Sequence, residues 1–185
     1  RLIIMKTFSG LGVSAGIGQA PALLVEPAPG LPARDPKGDT DDDVARVTAA
    51  LSKVADRLDA RALEADPSAI GVLMATAMMA RDPGLTSSVR THLEEGDGPA
   101  HALWGAIDDF CAQLTAAGGY LAERVTDLHN VRDRALAVLQ GLPEPGVPAF
   151  DSPVILVAED LAPADTATLD PELVRGLVTA CLLYT

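Results

Sequence analysis

The residues able to do chemistry are few, and their spacing restricts them further. Three histidines, His92, His101 and His129, fall at helical positions without ligand spacing to one another or to Cys111 and Cys181, which argues against a metal site. His129 adjoins Asp127 and Arg132 and reads as a surface residue. No serine is arranged with a histidine and an acid as a nucleophilic triad requires. Gly10-Leu11-Gly12-Val13-Ser14-Ala15 fits the loose G-x-G-x-x-A dinucleotide pattern. Gly16, Gly18 and Pro21 follow where a helix would have to begin, however, and no βαβ unit surrounds the match, so these read as turn glycines. No G-x-x-x-x-G-K-[ST] phosphate loop occurs in the chain. Two cysteines cannot build a disulfide framework and read as unrelated thiols in a reducing compartment. Met78-Met79-Ala80-Arg81-Asp82-Pro83-Gly84-Leu85 carries more information. Neighbours on a helix lie about 100° apart, so both methionines cannot face one core. One is expected at the surface, where a flexible thioether makes an adaptable contact; a core methionine beside a rim methionine is the other reading, and the sequence leaves both open.

The elements that must hold these residues follow from composition and periodicity. With 185 residues, 48% of them hydrophobic, the chain can bury a sizeable core. Aromatics are only 3%, so that core is built from Ala, Val and Leu, which suits closely packed helices. A net charge of -12 repels phosphates and argues against nucleic acid, favouring a basic partner or plain solubility. No apolar run approaches the roughly 20 residues that span a bilayer, so no membrane insertion is expected. The chain reads as soluble and cytoplasmic, with Met5 a candidate natural start.

Thr7 to Val25, rich in Gly and aliphatic residues, predicts short strands joined by tight turns. Pro27, Pro29, Gly30 and Pro32 then form a linker. Thr40-Asp41-Asp42-Asp43 has the form of a capping box, and Val44, Val47, Leu51, Val54 and Leu58 follow as one helical stripe. Asp66-Pro67 and Asp82-Pro83 each restart a helix. The first of these buries Ile70, Leu73, Met74 and Ala77, and the second buries Leu85, Val89 and Leu93. After Gly96-Asp97-Gly98-Pro99, a fourth helix carries Leu103, Ile107, Phe110 and Leu114. Gly118-Gly119 kinks or interrupts it before Leu121, Val125, Leu128 and Ala135, and Gly141 and Pro143 end the helical region. Val154 to Ala158 and Val174 to Thr179 are short apolar runs of buried-strand type, separated by a loop and a short helix over Asp160 to Thr166. The predicted fold class is therefore α+β, mostly α: a helical bundle inserted into an α/β subdomain built from both ends of the chain.

Taken in order, these segments resemble enzyme I of the bacterial phosphotransferase system, the phosphoenolpyruvate-protein phosphotransferases, in its N-terminal part. Gly12-Val13-Ser14-Ala15-Gly16-Ile17 is similar to the family's opening turn, usually Ser-Pro-Gly-Ile-Ala. Met78 to Leu85 is similar to its helix-junction motif, an aliphatic pair followed by Asp-Pro-x-Leu. Tyr120 to Leu128 is similar to its Tyr-Leu-x-x-Arg-x-x-Asp stretch. Val154 to Thr166 resembles the strand and loop of the family's swivelling phosphohistidine domain and is the strongest signal. The resemblance covers about residues 8 to 180. Ala15 departs from the usual Pro, and Gln19 and Ala20 stand where the family has an apolar residue and often Gly. The larger departure follows Leu177-Val178-Thr179, where the family runs into Gly-Gly-x-Thr-Ser-His and its phosphoryl-accepting histidine. Here the sequence reads Ala180-Cys181-Leu182-Leu183-Tyr184-Thr185, so the chain reads as a truncated piece without the active histidine.

What the resemblance implies is specific. In the family a histidine takes the phosphoryl group of phosphoenolpyruvate, with magnesium assisting in the full-length protein, and passes it to the small phosphocarrier HPr during sugar uptake. No cofactor is expected in this chain. The partition implied is 6–30 with 144–180 as the partial phosphohistidine subdomain, 36–143 as the docking bundle, and 1–4 and 181–185 as non-native tails. Carried over by position, Met78, Met79 and Leu85 are apolar anchors for the carrier, Asp82 and Arg124 polar orienters, and Leu121 their neighbour. Asp82 is also expected to cap its helix, and Arg124 could equally pair with Asp127 or Glu123. Thr166 matches the position that hydrogen-bonds the active histidine, or is simply a turn or capping residue. The fragment is expected to dock the carrier without turnover. A homodimer is possible, through the missing C-terminal part of the full-length protein or through an exposed sheet edge of the fragment. A non-enzymatic helical interaction module, or a mobile phosphohistidine domain of the pyruvate-phosphate dikinase group, are the alternatives.

Overall fold

Acids and prolines start the helices, and glycines stop them. The computed structural model describes residues 7–148, 150–159, 161, 163–166 and 169–180. Helix α1 spans Thr40–Glu64, and its cap is Asp39, whose carboxylate accepts the N–H of Asp41 at 2.9 Å and of Asp42 at 3.2 Å. The capping box is thus displaced by one residue from the expected Thr40, because Asp39 reaches the unpaired donors of the first turn. Buried Asp43 folds back to accept the Gly38 N–H at 2.6 Å and also holds Arg46. Helices α2 (Pro67–Ala80), α3 (Pro83–Glu95) and α4 (Pro99–Ala117) each open on proline, whose fixed φ and missing N–H suit a first turn. Asp66 precedes α2 but caps it only through its backbone carbonyl, which accepts the Ala69 N–H at 2.8 Å. The α4 terminus has Gly98 before it and no cap of its own; Asp35, from the linker, supplies one by accepting the His101 N–H at 2.8 Å. Gly118 and Gly119 take φ of 69° and 57°, a left-handed pair that ends α4 outright rather than kinking it. The short α5 (Gly119–Glu123) and α6 (Val125–Gln140) follow.

The apolar stripes meet in one core. Val47, Leu51, Val54 and Leu58 of α1 pack with Leu73 of α2, Leu85, Val89 and Leu93 of α3, Leu103 and Ile107 of α4, and Leu128 and Val131 of α6. The sequence stripes locate these residues correctly, but Leu121 and Met74 of those stripes lie outside the core. Met74, expected inside, is 52% exposed, because α2 is apolar on every side and its core-facing arc is filled by Ala69, Leu73 and Ala77.

The chain ends make a sheet. Strands β1 (Ala22–Leu24), β2 (Val154–Ala158) and β3 (Val174–Thr179) lie in that order and run parallel, with Leu23 opposite Leu156 and Leu156 opposite Leu177. Parallel neighbours require a crossover. The short helix α7 (Pro163–Thr166) lies on the connection from β2 to β3, and the whole bundle is the connection from β1 to β2. Central β2 alternates buried Val154, Leu156 and Ala158 with half-buried neighbours. The prediction of several strands between Thr7 and Val25 is corrected to one, since only Ala22–Leu24 pairs and residues 7–20 carry no regular element. Phe8, Leu11, Val13 and Ile17 are exposed, so their apolar character does not translate into strand without a neighbour to pair with. The tails expected to be non-native, 1–4 and 181–185 with Cys181, lie outside the described residues, as do Asp160 and Ala162 of the loop before α7. No helix among the described residues is long and apolar enough to cross a membrane.

Candidate functional site

The α2–α3 junction resolves the methionine pair. Met78 is 72% exposed, whereas Met79 is half-buried against the core. Helix α2 contains no charged residue, so Met74 and Met78, one turn apart, leave an apolar exposed ridge. Acids surround its end. Asp82 caps α3, accepting the Gly84 N–H at 2.7 Å, and stays exposed. Asp56, exposed, and Asp59, half-buried, both on α1, hold Arg81 at 2.7 and 2.8 Å. Those two hydrogen bonds raise the Arg81 pKa further above its usual value. Three carboxylates against one guanidinium leave this corner net negative around an apolar centre.

Leu85 is placed differently from its expected role. Its side chain is fully buried among the α1, α3 and α4 core residues, so it supports the corner from beneath and offers nothing to a partner. The spacing explains this: Leu85 shares the α3 face of Val89, four residues on. Leu121, on α5, is exposed. The segment that carries it, α5, follows α4 directly, and the start of α3 at Gly84 lies against Phe110 of α4. Arg124 donates to Asp127 at 2.6 Å, and both side chains are largely buried. Arg124 is therefore a held cation that fixes the α5–α6 corner, with Asp127 at the favourable positive end of α6.

Thr166 sits exposed at the end of α7, directly after buried Asp165. What sequence reasoning missed lies beneath it. Arg134 of α6, fully buried, bonds both Asp165 and Glu144. A lone arginine three residues after core Val131 and one before core Ala135 is the signal that could have revealed it.

None of the histidines stands free. His101 places Nδ1 3.0 Å from Asp35, and His92 lies between Asp97 at 3.3 Å and Asp109 at 3.0 Å. His129 is half-buried rather than at the surface as expected, and burial followed by the nearby Arg132 charge lowers its pKa. Arg132 in turn stacks 3.8 Å over the Trp104 ring. Cys111 is a buried thiol whose pKa burial pushes up, a structural rather than a reactive setting. Among the described residues no group of three or more His, Cys, Asp or Glu is placed to hold a metal ion.

Comparisons with known proteins place the chain as a whole. The family described as PEP-utilising enzyme, N-terminal, matches residues 9–124. The phosphoenolpyruvate-protein phosphotransferase of Streptomyces coelicolor is 44% identical over 179 residues, 94% of this chain and 32% of that protein. Its counterpart in Lactococcus lactis is 31% identical, over 92% of this chain and 31% of that protein. The chain thus spans about a third of the length of the curated relatives it matches. Among solved structures, an Enzyme I solution structure superposes with a TM-score of 0.76 at 25% identity, over 90% of this chain and 70% of that one. The N-terminal domain of a nitrogen-type Enzyme 1 shares the fold, with a TM-score of 0.59 at 22% identity, over 86% of this chain and 68% of that one.

Proposed function

This chain belongs to the phosphoenolpyruvate-utilising enzymes and corresponds to their N-terminal region, and from that premise we propose that it docks the phosphocarrier HPr, so that a histidine phosphorylated from phosphoenolpyruvate passes its phosphoryl group on for sugar uptake. The observation that carries the reading is the Met78 corner: an exposed methionine on a charge-free helix whose end leads into Arg81, held by Asp56 and Asp59, and into the α3 cap Asp82. A partner that fits it has an apolar centre and a basic rim, since complementary charge speeds encounter and a buried apolar contact supplies affinity. Met78 and Leu121 would be the contacts, Asp82 an orienter at the rim, and Met79, Leu85 and Arg124 the support that keeps the surface in shape.

Phosphoryl transfer through imidazole is chiefly a problem of positioning and charge stabilisation. Thr166 offers an exposed hydroxyl at the end of α7 that could orient an imidazole nitrogen and then meet phosphoryl oxygens. In this reading the acceptor is not His92 or His101, whose rings are held by carboxylates, nor His129, half-buried beside Arg132. The acceptor and the phosphoenolpyruvate site belong to the rest of the enzyme, and the chain by itself would bind the carrier without turnover. Magnesium would act at that phosphoenolpyruvate site. The described residues supply no ligand set for it, and no step here runs through it.

A titration of the labelled chain with the cognate phosphocarrier, followed by amide shifts, tests the reading. Shifts centred on Met78, Asp82 and Leu121 are expected; an unchanged spectrum at equimolar and excess carrier would remove it.

A further inference from the structure

Arg134 is a cation where the fold has no room for an unpaired one. Its side chain is 1% exposed, in the middle of α6, and the adjacent Val131 and Ala135 belong to the core. A guanidinium so placed is tolerable only if its donors are matched. Its Nε donates to Asn130 Oδ1 at 2.9 Å, one terminal nitrogen to Glu144 and the other to buried Asp165. Two arginines of α1 complete the cluster, Arg57 on Glu144 at 2.7 Å and Arg61 on Asp165 at 3.3 Å.

The signs in this cluster are segregated by element. The guanidiniums come from α1 and α6, and the carboxylates come from the connection that leaves α6 and from α7. That connection is itself fitted to the cluster. Gly146 takes a φ of 101°, and a Cβ there would stand 2.8 Å from the Asp165 carboxylate oxygens. Its N–H donates to the Glu26 carbonyl at 3.3 Å, which joins the segment leaving β1 to the segment leaving α6. Both links between bundle and sheet therefore run together beside Asp165. Apolar side chains would hold such a seam at least as strongly, but they tolerate sliding and rotation. A planar fork with directed donors does not, because any slip leaves a buried charge unmatched.

We propose that Arg134 is a positioning residue: its bonds to Glu144 and Asp165 fix α7, and with it Thr166, in a single orientation against the helices that carry the Met78 corner. Its importance for phosphoryl transfer rests on the docking reading above, whereas the orientation itself does not.

Residual dipolar couplings of the labelled chain decide the matter. In the native chain, couplings from α1–α6 and from β1–β3 are expected to fit one alignment tensor. In Arg134→Met the two sets are expected to require separate tensors, with the Asp165 and Thr166 amide resonances displaced. Arg134→Lys, which keeps the charge without the fork, should give a smaller displacement. If Arg134→Met does not fold, Arg134→Met combined with Asp165→Asn, which also removes the charge that Arg134 had matched, takes its place. A folded variant that keeps one tensor and unmoved Thr166 overturns the proposal, as does failure of both variants to fold, which would make Arg134 a core residue only. Carrier titration separates the two readings: Met78-centred shifts should persist in the folded variant, and their absence from the native chain sinks docking while leaving the tensor result to stand.

Discussion

At the scale of single residues, Met78 and Leu85 look alike in the sequence and differ completely in the fold. Met78 projects from α2 into solvent, and Leu85 is sealed in the core. Truncating them should therefore fail in different ways. Met78→Ala is expected to weaken carrier binding by about tenfold, the effect of losing an apolar anchor of ~1.4 kcal/mol, with the melting temperature nearly unchanged. Leu85→Ala should lower unfolding free energy by about 2–5 kcal/mol, as a core cavity does. Calorimetric titration and urea denaturation of the two variants check this, and equal losses of affinity in both, at matched stability, would refute the assignment.

At the scale of elements, carboxylates do most of the local work. Asp39 caps α1 through bonds to the N–H groups of Asp41 and Asp42 in the first turn. Asp39→Ala should lower stability by about 1 kcal/mol in urea denaturation. The α3–α4 pair carries a pH-dependent bond. Both ring nitrogens of His92 face carboxylates, and only the doubly protonated ring can donate to both. Burial opposes that charge, but the hydrogen bonds to Asp109 and then Asp97 outweigh it, and the pKa is raised above 6.5. Because the folded-state value is the higher one, the stabilisation is fully present below pH 6.5 and is lost as pH rises through the folded-state value. Urea midpoints between about pH 5 and about pH 9 should fall with rising pH in the native chain and fall less in His92→Gln. Parallel profiles would show that His92 contributes no such bond.

At the scale of the molecule, the three-stranded sheet leaves edges. Among the described residues β1 and β3 each pair on one side only, and Leu24, Leu177 and Val178 are exposed. Parallel edges with apolar side chains invite pairing with another copy. The chain is expected to self-associate as concentration rises, and Leu177→Lys to suppress it, as measured by light scattering. A native chain that stays monomeric across that range would show the edge to be inert.

The helices were legible because their information is local. Asp-Pro starts, glycine stops and the 3.6-residue stripes each act within a few residues, so α1 to α4 and their core faces follow from the sequence. Strands β2 and β3 were legible as short apolar runs for the same reason, but only β2 is buried as expected; among the described residues β3 pairs on one side and has no buried residue. Residues 7–20 were misread, because strand character in an aliphatic segment is realised only against a partner that chain neighbours cannot supply. The outward turn of Met78 depended on which arc of α2 its neighbours cover, whereas the burial of Leu85 followed from the α3 stripe and Asp127 was already a candidate partner of Arg124. Arg134, Glu144 and Asp165 carry no sequence pattern that links them, and only the folded chain brings α6, its exit and α7 to one point. Short-range chemistry wrote the elements into the sequence; long-range packing chose the surfaces they present.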